Sequence, residues 1–449
     1  MLNFNLESFC GELWSQIEIN ALGDYKICCL ANYSPDHGMS RDADGKVMNV
    51  LTHSIQEALN SETHKQHRLE LAKNIKVQRC QNCYHAEDST KNQNWGDPHT
   101  VKWGMSKRQR VNNAMVQEIS EYVSCANAAE FTNDDGTVTS KVVNLALRLG
   151  NACNQKCIMC SPEYSNLWYD DWFSLYGQQE TTDARSADYK NNFKIIKNAN
   201  GRNILDYSAW WETDIWWERF DSIAPDLRYL YITGGEPLVT PVVQDILVRL
   251  IDAGFAKDII VRFDTNLSVI NNKVLEKFNQ FKRVDLCLSV EDTDERYELI
   301  RFPGNYQTVI NNIETVKANG ANISYISSCI GIASIYSMVR ITELAQKMSI
   351  RAQFRYLEGP LWLDLRWLPS SAKQEIIDFY KSLDHGRVRN NWYGSIIKFL
   401  EKHLKLSNEE HVKTFVKMMD KLDALRGTNW KLTLPDVYSL LSRHSPSAF

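Results

Sequence analysis

No uninterrupted apolar stretch among the 449 residues approaches the roughly 20 needed to cross a bilayer as a helix, so an integral membrane protein is not expected. The N-terminal stretch MLNFNLESFCGELW lacks a basic segment followed by a long apolar run, and no secretory signal is expected there. No low-complexity linker interrupts the chain. Excess positive charge is missing too: 51 Lys and Arg against 55 Asp and Glu leave a net charge of −4. That balance gives no general attraction to anionic membranes and disfavours a nucleic-acid partner. The rest is ordinary, with 43% hydrophobic and 24% charged residues on a chain long enough for two or three domains. Cysteine is the exception. Eleven cysteines in a chain expected to be cytoplasmic, a reducing setting, point to metal or redox chemistry more than to disulfides.

One further absence is the most informative. Cys153, Cys157 and Cys160 lie within eight residues of 150-GNACNQKCIMC, yet no cysteine or histidine follows in the next forty. A closed zinc site or a fully ligated iron–sulfur cluster uses four ligands. Chance does not explain the triplet: at this cysteine content a given three-cysteine spacing arises about 0.007 times per chain, against about 0.27 for a pair such as 80-CQNC. Something from outside the protein is expected to fill the remaining position.

The middle of the chain alternates short apolar runs with helical patterns. The runs are 142-VVNLALRL, 227-LRYLYI, 258-DIIVRF, 283-RVDLCLSV, 322-NISYISSCI and 351-RAQFRYL. In 241-PVVQDILVRLIDAG, the residues Val242, Val243, Ile246, Leu247, Leu250 and Ile251 form one stripe, with Pro241 at the start and Gly254 at the end. The stretch 305-NYQTVINNIETVKANG reads the same way. The expected fold class is therefore α/β, an open or incomplete (βα)6 barrel over residues 141–357 with chemistry at the C-terminal ends of its strands. The cysteine triplet directly follows the first of these strands. An insertion at 162–224 carries Trp168, Trp172, Trp210, Trp211, Trp216 and Trp217, expected to pack a small helical subdomain, or else to line a substrate cleft. Residues 1–140 open with a hairpin, 14-WSQIEI and 25-YKICCL, and 358–449 read as a helical region.

The spacing Cys153-x3-Cys157-x2-Cys160 after a strand resembles the signature of the radical S-adenosylmethionine (SAM) superfamily. That resemblance implies a [4Fe–4S] cluster on three thiolates, with SAM chelating the open iron and being cleaved reductively to methionine and a 5′-deoxyadenosyl radical. It also implies an electron donor such as flavodoxin or ferredoxin. The run 233-TGGEP resembles the family's Gly-Gly-Glu-Pro motif, which assigns Gly234, Gly235, Glu236 and Pro237 to SAM's amino group; a tight turn with a capping Glu would look the same. By the same likeness, Asn266 in 264-DTNLS and Ser289 in 289-SVEDT, with Glu291 and Asp292 behind them, face the ribose or carboxylate. Arg301 resembles a family Arg near SAM's carboxylate; a surface ion pair is the alternative. Met159 stands where an aromatic residue often precedes the last cysteine and helps to hold adenine.

At the N-terminus, Cys10, a W-x-I-x-I strand, a Gly turn, Cys28-Cys29 and 80-CQNC together resemble the auxiliary-cluster modules called SPASM or twitch domains. In most relatives this module follows the barrel; here it leads. The likeness implies a second [4Fe–4S] cluster on Cys10, Cys29, Cys80 and Cys83. Strand alternation puts Cys29 on the apolar face with Tyr25 and Ile27, and Cys28 is the alternative. A structural zinc on the same four thiols is the competing reading, and His64, His67 and His85 are possible substitutes. Cys125, Cys287 and Cys329 belong to no motif. The expected substrate is a peptide or protein segment, by analogy with the auxiliary module. A nucleotide, sugar or other metabolite is the alternative within the class, and a non-catalytic metal-stabilised binding protein the alternative outside it. The basic run 107-KRQR is the one candidate for docking a phosphate.

Overall fold

All six strands expected in the middle of the chain are present in the computed structural model, which describes residues 2–31, 38–90, 107–177, 180–181, 193–206, 209–383 and 392–449. The chain forms two compact units. The first comprises Met1–Gly150, Tyr207–Phe263 and Glu276–Val284, and the second Asn151–Asp206, Asp264–Leu275 and Asp285–Phe449.

In the first unit the N-terminal hairpin forms as expected. β1 (Gln16–Ile19) pairs antiparallel with β2 (Tyr25–Lys26) around a turn in which Gly23 holds φ +84°. The hairpin is not detached: β1 runs parallel to β3 (Asn144–Leu149), Ile17 beside Leu145. Trp210 and Trp216, from the insertion, are fully buried. The Trp210 indole N–H donates to the Ala21 carbonyl at 3.1 Å, and its ring covers Gly23, where any Cβ would meet it at 3.1 Å.

The insertion departs from the expected helical subdomain. Within the second unit it carries the helix Trp168–Tyr176 and a three-stranded antiparallel sheet of β4 (Glu180–Thr181), β5 (Phe193–Lys197) and β6 (Asn203–Leu205). The cause is local. Asn198 and Gly201, the latter at φ +72°, close a turn between two short Ile-bearing runs, 195-II and 203-NIL. The tryptophans therefore do not pack one subdomain. Trp168 and Trp172 are buried in the second unit, Trp210 and Trp216 in the first.

The first unit continues with β7 (Tyr229–Gly234) and β8 (Ile260–Thr265), giving the order β2-β1-β3-β7-β8, parallel from β1 onward. The helix Pro241–Asp252 joins β7 to β8 as a right-length crossover. Pro241 starts it, its missing N–H being unneeded in the first turn, and Gly254 follows it at φ +78°. Val243, Ile246, Leu247 and Leu250 are fully buried, and each contributes roughly 1.5–3 kcal/mol by leaving water.

In the second unit β9 (Arg283–Ser289), β10 (Ala321–Ile330) and β11 (Ala352–Tyr356) are neighbours in that order, β10 and β11 parallel. Leu286, Cys287 and Leu288 are buried, on both faces of β9. The C-terminal region is helical as expected, with helices Ser370–Ser382, Trp392–Lys402, Glu409–Arg426 and Pro435–His444. No helix among the described residues is long and apolar enough to cross a membrane.

Candidate functional site

The loop that carries Cys153, Cys157 and Cys160 is fixed by its backbone. The amides of Lys156 and Ile158 donate to the carbonyls of Phe302 and Ile300 at 2.7 and 2.9 Å, so the loop pairs with the segment around Arg301 like a strand. The Cys160 amide donates to the Cys157 carbonyl, which also accepts the Trp168 indole N–H at 3.0 Å. Asn166 Oδ1 accepts from the Cys153 amide at 3.1 Å. Cys157 is 3% exposed, and its thiol shares a hydrogen bond with Cys160; that bond and burial raise its pKa well above the ordinary thiol value. Three thiols on one rigid loop are a soft, sulfur-rich donor set that suits an iron–sulfur cluster better than a hard cation.

Arg301, between the Ile300 and Phe302 carbonyls in sequence, reaches the loop with its side chain. Its guanidinium makes a bidentate ion pair with Glu291, which is buried, and Nη1 lies 3.6 Å from Cys157 Sγ. Asp292, also buried, is held by Arg340 through two bonds of 2.6 and 2.7 Å. Asn266, at 6% exposure, accepts from the Ser268 amide and hydroxyl and donates to Asn154 Oδ1 at 3.0 Å, tying the turn after β8 to the cysteine loop. Ser289 is the half-buried last residue of β9, and Met159 is buried.

Several residues around the loop carried no signal in the sequence. Gln155 bonds Tyr297 Oη, and Lys156 pairs with Asp171, which in turn holds Arg426 of the C-terminal helix. Only residues that pair across long separations do this, and spacing cannot announce them.

In the first unit, Gly234 ends β7 and Gly235 follows it. Gly234 sits at φ +151°, and a Cβ there would lie 3.0 Å from the Leu149 carbonyl oxygen. Glu236 is buried and accepts the Leu238 amide at 3.1 Å, so the capping role and the motif coexist. Gly234→Ala is therefore expected to lower the unfolding free energy by about 1–3 kcal/mol, the range for forcing a side chain into such backbone. An unchanged urea midpoint would show that the turn relaxes without cost.

The N-terminal thiols also come together. Cys10, Cys28, Cys80 and Cys83 line one cavity with Glu12, Arg79 and Arg108. Burial raises Cys10 well above the ordinary thiol value and pushes Cys80 up to about 12, with neighbouring thiols adding to both. Cys28, not Cys29, faces this cavity. β2 stops at Lys26, so the alternation that singled out Cys29 does not reach it, and the Leu30 amide donates to Cys28 Sγ at 3.4 Å. His64 is fully buried against Ser61, and His67 bonds Arg79; neither lines the cavity, and the His85 side chain lies outside the described residues. Among the described residues no three His, Cys, Asp or Glu side chains are drawn together closely enough for a single metal ion. The thiols surround a space.

The comparisons fall on these two sets of cysteines. A model of the radical SAM superfamily matches residues 147–333, and one of an iron–sulfur cluster-binding domain, SPASM, matches residues 10–84. The two matches are consistent with a SPASM/twitch-type radical SAM protein, and both families bind [4Fe–4S] clusters. No curated protein sequence matches it. Among solved structures, native anSMEcpe with bound AdoMet and Kp18Cys peptide is similar over 53% of this chain and 59% of its own, at 14% identity and a TM-score of 0.34. Streptococcus suis SuiB bound to precursor peptide SuiA is similar over 63% and 61%, at 12% identity and 0.35. SuiB bound to S-adenosylmethionine is similar over 75% and 65%, at 13% and 0.34. The chain thus spans less than two thirds of the length of each.

Proposed function

We propose that the protein is a radical SAM enzyme that cleaves S-adenosylmethionine reductively and takes a hydrogen atom from a peptide or protein segment. The observation that carries this is the rigid loop of Cys153, Cys157 and Cys160 with the Arg301 guanidinium at Cys157. When bound, the cluster and SAM supply the one-electron chemistry; the chain positions them and excludes water. In this reading the three thiols hold the cluster, Arg301, oriented by Glu291, meets the SAM carboxylate, and Gly234, Gly235, Glu236 and Pro237 meet its amino group. Asn266 and Ser289 serve the ribose, and Met159 lies against adenine. The electron comes from a small donor of the flavodoxin or ferredoxin type. The direct test is 5′-deoxyadenosine release by anaerobically reconstituted protein given dithionite and SAM, and its absence would end the catalytic reading.

A peptide is favoured over a phosphorylated metabolite by what became of 107-KRQR. Arg108 is buried, bidentate on Glu87 and donating to the carbonyls of Leu6 and Phe9. It is a strut of the N-terminal region, not a phosphate dock, and the side chains of Lys107 and Arg110 lie outside the described residues.

The second cluster is assigned to Cys10, Cys28, Cys80 and Cys83. Cys28→Ala is expected to take iron from about eight atoms per chain to about four, while Cys29→Ala keeps about eight. The opposite pattern would return the ligand to Cys29, and one zinc with no loss of iron in a Cys80→Ala, Cys83→Ala protein would make the site structural.

A further inference from the structure

Arg426 closes the helix Glu409–Arg426, in the C-terminal region that neither family model reaches. An arginine at a helix end normally stays in water, yet this side chain is 2% exposed. Its guanidinium carbon lies 4.9 Å from the centre of the Trp168 ring and 5.5 Å from that of Phe302. Both rings belong to the frame of the cysteine loop: Trp168 bonds the Cys157 carbonyl, and the Phe302 carbonyl accepts the Lys156 amide. Nε donates to Asp171 Oδ2 at 2.9 Å, while Lys156 takes Oδ1 at 2.7 Å, so the carboxylate already serves two cations.

One donor is thus accounted for. Nη1 and Nη2 are buried and have no hydrogen-bond partner among the described residues. A guanidinium carries five N–H donors, and leaving those of a charged group buried and unpaired is strongly unfavourable. Their missing partner should be anionic, able to accept several bonds, and located beside the cysteine loop that Trp168 and Phe302 frame.

We propose that Arg426 is a positioning residue for the [4Fe–4S] cluster of Cys153, Cys157 and Cys160, its Nη1 and Nη2 groups donating N–H···S bonds to cluster sulfur. The inference rests on the radical SAM reading. It makes the C-terminal helix a wall of the cluster site. Positive charge and hydrogen bonds at the sulfurs favour the more negative, reduced state, so Arg426 holds the cluster's potential up.

The test is a redox titration of the full chain, reconstituted anaerobically and followed by electron paramagnetic resonance. The signal to read is the one that shifts on adding SAM. In Arg426→Met the iron content should hold and the reduction equilibrium fall about tenfold, which is about 59 mV for one electron. Arg426→Lys, which keeps the charge with fewer donors, should fall by a smaller amount and serves if the Met variant does not fold. An unchanged midpoint in a folded variant, even one that melts at lower temperature, would reduce Arg426 to a packing tie and overturn the proposal. A parent protein with no SAM-responsive signal would instead sink the radical SAM reading itself.

Discussion

Replacing Cys153, Cys157 and Cys160 together by alanine is expected to abolish 5′-deoxyadenosine formation and to halve the iron, from about eight atoms per chain to about four. The expectation is sharp because the thiols are not what holds their loop. The backbone bonds from Lys156 and Ile158 to the 300–302 segment, and that from the Trp168 indole to the Cys157 carbonyl, involve no sulfur and survive the substitution. The variant should therefore fold, and its loss of activity is chemical. The iron that remains should sit with the N-terminal thiols, which belong to the other compact unit and line their own cavity. Full iron with activity lost would mean that the triplet does not hold the cluster; activity retained would mean that another site cleaves SAM. A binding protein stabilised by metal would bind no less iron per remaining site and make no product with or without the triplet.

Much of this was legible in the sequence, for reasons that can be named. The six strands could be read because strands buried on both faces are continuous apolar runs, as in β9, and because Pro241 and Gly254 mark the ends of a helix between two of them. The triplet could be read because all its members lie in one loop. What the sequence did not reach lay beyond a local period. Strand alternation favoured Cys29 with Cys28 as the alternative, but β2 ends at Lys26 and Cys28 is the one that lines the cavity. The helical reading of the insertion weighted its tryptophans over the short turn at Asn198 to Gly201. Arg426 bonds Asp171 across 255 positions, and no pattern in either segment names the other.

Glu291→Gln is expected to cost about 3–5 kcal/mol of stability, because it leaves the Arg301 charge buried without its carboxylate. The Glu291 side chain is 1% exposed and that of Arg301 10%, so water cannot rescue the guanidinium in place. The neighbouring Cys157 thiol, 3.6 Å from Nη1, offers only a partial partner. The loss alone does not separate structure from function, and the double variant Glu291→Leu, Arg301→Met does. Apolar residues of similar volume often replace a buried ion pair at little cost. The double variant should therefore regain most of the urea midpoint while SAM affinity and turnover stay low, since no cation then faces the SAM carboxylate. Recovery of SAM binding along with stability would remove Arg301 from the site and leave the pair as a strut. If neither recovers, the pair shapes the 300–302 segment on which the cysteine loop is built, and the loss of affinity follows from the loss of that frame.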